Sequence, residues 1–125
     1  MFESLSIEQL LILQRALLEA KFLAEPRDPA LQGSPILAEL SFGVVQAIKD
    51  HYARVGDRGR VQQWIDWSQW HRRTIEKDLV RDHLRSLEKW NQMSEEVRMA
   101  YVRSLVAPFV ITPEELGELI GSVSE

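Results

Sequence analysis

The sequence predicts an all-α protein, a bundle of four or five helices in a single helical domain over residues 1–125. Three observations carry that expectation. Apolar residues recur at helical spacing in each long segment, helix-start signals stand in front of most of them, and no run alternates apolar with polar residues as a half-buried strand would. No internal repeat is visible.

A chain of 125 residues can bury about two-thirds of the surface its unfolded form exposes, which suits one core. Apolar residues make up 45% and charged residues 27%, the balance of an ordinary globular protein, so disorder is not expected. Cysteine is absent. That excludes disulfide frameworks, thiolate metal sites and a cysteine nucleophile, and points to a reducing compartment. The first residues, MFESLSIEQLLIL, carry acidic groups where a secretory leader needs positive ones, and Gln14 and Arg15 interrupt the apolar run. No span approaches the roughly 20 apolar residues that cross a bilayer. The expectation is a soluble, cytoplasmic protein.

The formal charge of −4 is unevenly spread: −3 over residues 1–53, +3 over 54–103 and −4 over 104–125. A mildly basic middle between acidic ends suits a protein partner or the chain's own tail better than DNA or RNA.

Ser6 with Gln9 forms a capping box, and Leu5 with Leu10 the accompanying hydrophobic staple. They predict a first helix from about Ile7 to Ala24, stopped by Pro26 and Pro29. Its apolar residues, Leu10, Ile12, Leu13, Leu17 and Leu23 among them, spread beyond one stripe. A helix apolar nearly all round is either central in its bundle or shared with another subunit. After a loop over Glu25 to Gly33, Ser34 caps a second helix with Pro35 in its first turn. Ile36, Leu37, Leu40, Val44, Ala47, Ile48 and Val55 share one face with His51, while Phe42 lies off it. Gly56-Asp57-Arg58-Gly59 turns the chain.

Residues from about 60 to 90 contain no helix breaker and predict one long helix, with a kink near Ser68 to Arg73 as the alternative to tryptophans that leave their own bundle. Ile75, Leu79, Val80, Leu84, Leu87 and Trp90 give it a broad apolar face, with Glu76 and His83 inside. Ser94-Glu95-Glu96 starts the next helix, with Val97, Tyr101 and Leu105 as its inner row and Pro108 as its stop. Thr112 and Glu115 form a second capping box, stapled by Ile111 and Leu116, ahead of a short helix ended by Gly121.

Candidate functional residues fall into three groups. Trp64, Trp67 and Trp70 recur every third position; indoles bury large areas and keep one donor, which suits hot spots. Packing within the chain is the commoner use of such rings. With His71, Phe42 and Leu13 they form the expected partner-binding set. Arg73, Lys77, Arg81, Arg85 and Lys89 make a basic ribbon able to meet phosphates. The interleaved Asp78, Asp82 and Glu88 favour a solvated, salt-bridged face instead. His51, Glu76 and His83 project from apolar faces, but seven residues of helix separate the last two by about 10 Å, too far for one ion without further ligands. No phosphate loop, nucleophile elbow or H-E-x-x-H motif occurs, so no catalytic residue, cofactor or metal is expected.

The reading is a non-enzymatic interaction module, an assembly, adaptor or regulatory factor that binds another protein or itself. The alternative is a nucleic-acid binder that joins the basic face to tryptophan stacking.

Overall fold

The protein is all-α, as its periodicity predicts, in a computed structural model that describes residues 2–23 and 28–123. Seven α-helices are found among the described residues: α1 Ile7–Leu18, α2 Pro29–Gln32, α3 Pro35–Arg54, α4 Arg58–Trp67, α5 Thr74–Ser86, α6 Glu95–Val106 and α7 Pro113–Val123. There is no ladder of strands among them, only an isolated parallel bridge between Gln69 and Val110.

Side-chain caps fix most helix starts. The Ser6 hydroxyl accepts from the Gln9 N–H at 3.1 Å and the Gln9 amide oxygen accepts from the Ser6 N–H at 2.9 Å. Ser34 caps the Leu37 N–H, Asp57 the Arg60 N–H and Ser94 the Val97 N–H. Thr112 and Glu115 exchange the reciprocal pair that opens α7. Each such cap satisfies donors that the first helical turn leaves free.

Three boundaries depart from expectation. First, α1 ends at Leu18 and continues as one π-helical turn, Glu19–Leu23; Ala24 and Pro26 lie outside the described residues. Second, the expected loop contains the single turn α2. Third, the span 60–90 is not one helix. It divides into α4 and α5, with a short 3-10 turn, Trp70–Arg72, between them. The break has a tertiary cause. Residues 68–70 leave the helical path to pair with the chain after α6, where the Val110 N–H donates to Ser68 O at 2.7 Å and the Trp70 N–H to Val110 O at 3.0 Å. Trp90 likewise opens its own 3-10 turn, Trp90–Gln92, instead of ending α5.

Two apolar clusters form. One, built on Leu10, Val44, Ile48 and Tyr52, lies between α1 and α3. The larger one gathers Trp70, Leu84, Trp90, Val102, Phe109 and Leu116 among α5, α6, α7 and the turns around them. Burying a side chain such as Ile48 or Leu84 contributes about 1.5–3 kcal/mol. The α1 helix does not bury its whole circumference: Leu10 is buried, Leu13 and Leu17 are half-buried, and Ile12 is 70% exposed.

Candidate interaction surface

The tryptophan row is built by α4 and the turn that follows it. Trp64 packs against the Leu10 cluster and meets Trp67 edge-on, with ring centroids 5.1 Å apart. Trp67 lies 4.9 Å from Phe109, and Trp70 lies 6.2 Å from the same ring. The row is therefore a seam from one apolar cluster to the other. Its last member is only 2% exposed, so an approaching partner meets Trp70 only if the core opens. Trp64 and Trp67 keep part of their surface, and His71, next to Trp70, is exposed.

The basic ribbon is fastened to its own chain. The Arg73 guanidinium lies 5.5 Å from the Trp67 ring and 5.3 Å from Phe109, a cation over two aromatic faces. Its Nε is buried without a partner. Lys77 Nζ donates to His71 O at 3.1 Å. Arg81 pairs with Asp78 at 3.6 Å and donates to the Ser122 hydroxyl, and Arg85 donates to Ser122 O at 2.9 Å. These last two cations sit at the end of α7, where the helix dipole favours positive charge.

His51, Glu76 and His83 do not gather into a metal-holding set among the described residues. His51 meets the Tyr52 ring on α3. On α5, His83 Nε2 lies 2.7 Å from the Tyr101 hydroxyl with the two rings stacked. Burial pushes the Tyr101 phenol above its usual pKa.

Phe42 stands apart from these internal contacts. Together with Val110 it rims a groove of about 340 Å³ between α3 and the segment after α6, with Val45, Lys49, Ser68 and Pro108 also lining it. Phe42 is 42% exposed and Val110 54%. Phe42 was legible as an apolar residue off the α3 stripe. Val110 was not, because it belongs to no helical period. Leu13, on α1, is half-buried against the first cluster.

One group had no signal in the sequence at all: Lys21, which periodicity places nowhere in particular, is buried. Comparison of the chain with family models, curated proteins and solved structures found no match. No helix of the described residues is long and apolar enough to cross a membrane.

Proposed function

We propose that this chain is a non-enzymatic helical interaction module that associates with a second copy of itself through the Phe42–Val110 groove, and acts as a cytoplasmic assembly or regulatory factor. The observation that carries this reading is the groove itself: Phe42 and Val110, two large apolar side chains left half-open, line it together with Val45 and Pro108, beside the polar Gln46, Lys49 and Ser68. Contiguous exposed apolar surface marks association sites more often than scattered single residues do. Ile12 and Ile36 add apolar surface elsewhere on α1 and α3. Trp64 and Trp67 contribute at most their open edges, and Trp70 acts from within.

The nucleic-acid reading gains no comparable support. Arg73, Lys77, Arg81 and Arg85 each already have a partner inside the chain, and the cleft beside Lys77 and Arg81 also holds Glu115 and Glu118. A phosphate approaching that face meets both signs of charge.

Size-exclusion chromatography with light scattering tests the proposal. The wild type is expected to run above monomer mass, and Phe42→Lys with Val110→Lys to run as a monomer of unchanged helical content. A wild type that stays monomeric at high concentration overturns it, as does an oligomer that the double variant leaves intact.

A further inference from the structure

We propose that two copies meet through α3 packed against α3 in antiparallel register about a two-fold axis, with Glu39 of each copy opposite the partner's Lys49 and each Phe42 seated in the other's groove. This rests on the self-association read from that groove and goes beyond it by fixing how the copies meet.

The outward stripe of α3 carries the register. Pro35, Glu39, Phe42, Gln46, Lys49 and Ala53 follow one another at alternating steps of four and three residues, the spacing of a helix face that meets a second helix. All are exposed except Lys49, which is partly so. Their spacing reads the same in both directions. A two-fold axis level with Val44, the midpoint, therefore sets Pro35 opposite the partner's Ala53, Glu39 opposite the partner's Lys49 and Phe42 opposite the partner's Gln46.

Charge selects this arrangement. Glu39 and Lys49 are the only charged residues of the stripe, opposite in sign and equally far from the midpoint. Neither has a side-chain ion pair or hydrogen bond among the described residues. Antiparallel pairing joins them twice, whereas a parallel pairing in register sets glutamate against glutamate and lysine against lysine. Asp50, beside the stripe, already accepts from the Gln46 amide at 2.9 Å.

The groove fits the same register. A knob on one helix enters a hole made by residues i, i+3, i+4 and i+7 of the other. Phe42, Val45, Gln46 and Lys49 have that spacing on α3, and all four line the groove. The centre of this hole lies just beyond Val44, so the side chain that faces it comes from just before the partner's Val44. Phe42 stands there, and an aromatic ring in a pocket is the usual anchor of an interface. Val45, Pro108 and Val110 offer it apolar atoms.

Charge exchange at low salt, where screening is weakest, tests the register. Glu39→Lys and Lys49→Glu each turn both contacts into like-charge pairs and are expected to weaken association by about tenfold. Mixed in equal amounts, the two variants restore opposite charges at both contacts, and sedimentation velocity should show a mixed dimer near wild-type affinity. Should a charge variant fail to fold, a spin label on Arg54→Cys, in a chain otherwise without cysteine, reports the same geometry. Antiparallel helices place the two labels about 30 Å apart along their axes. A separation under about 20 Å, as level labels on a parallel pair give, overturns the register. So do single charge variants that associate unchanged, or a mixture that regains nothing. If Phe42→Lys with Val110→Lys still abolishes association in those cases, the groove reading stands without this register; a monomeric wild type overturns both.

Discussion

The Trp67 indole lies against the Phe109 ring with centroids 4.9 Å apart and planes 50° apart, while Trp64 meets the indole edge-on at 5.1 Å. This ring therefore joins the α1–α3 cluster to the α5–α7 cluster. Trp67→Ala is expected to cost about 3 kcal/mol, the lower end of the range for aromatic truncation because the ring is half-buried. Urea unfolding followed by circular dichroism measures it. A loss below about 1 kcal/mol would mean the two clusters hold together without the ring.

Arg73 lies over Trp67 and Phe109 but leaves Nε buried without an acceptor. Stacking of a cation contributes about 0.5–2 kcal/mol, and an unsatisfied buried donor costs about 1–3. The two nearly cancel. Arg73→Met, which keeps the apolar stem and removes the donor, is expected to change unfolding stability by less than about 1 kcal/mol, whereas Arg73→Ala loses packing as well and falls further.

Two glycines lie against aromatic rings with opposite consequences. A Cβ on Gly33 would stand 2.7 Å from the Tyr101 ring, and one on Gly43 would stand 2.8 Å from the Phe2 ring. Tyr101 is held by His83, so Gly33→Ala must displace it. Its phenol, raised by burial, should then titrate at lower pH, as followed by ultraviolet absorbance. Phe2 precedes the first helix and, though half-buried against the first cluster, lines an open pocket with Gly43 into which its ring can shift. Gly43→Ala is expected to be neutral or stabilising by up to about 1 kcal/mol in a thermal melt, through the better helix propensity of alanine within α3.

Ser6→Ala and Thr112→Ala each remove one half of a capping box. Each is expected to cost about 1 kcal/mol in urea titration. The double variant should lose the sum, because the two boxes share no partner.

Local signals were the legible part of this fold. Ser6, Ser34, Ser94 and Thr112 all cap helices as their sequence contexts imply, and Val44 and Ile48 occupy the buried face of α3. The same stripe misplaced Ile36 and Val55, which are exposed near the two ends of α3. The interruption between Trp67 and Thr74 was legible only as a kink near Ser68 to Arg73, from tryptophans that leave the apolar face; that it is a full break was not, since no glycine or proline marks it and its partner is Val110. Of the candidate site, Phe42 could be picked out because it breaks a period. Val110 could not, because its position depends on a bridge. Lys21 was invisible because its charge suggests solvent, and only the carbonyls of Ser104 and Ala107, which accept from its Nζ, explain its burial.

The bridge between Gln69 and Val110 also bears on how the polypeptide reaches this arrangement. The turn that joins α3 to α4 closes over only a few residues. The pairing of Ser68 and Trp70 with Val110 must wait until a long intervening loop has been closed, at an entropic cost that local contacts do not offset. The interruption that separates α4 from α5 is thus tied to a partner far along the chain and to no helix breaker in its own stretch.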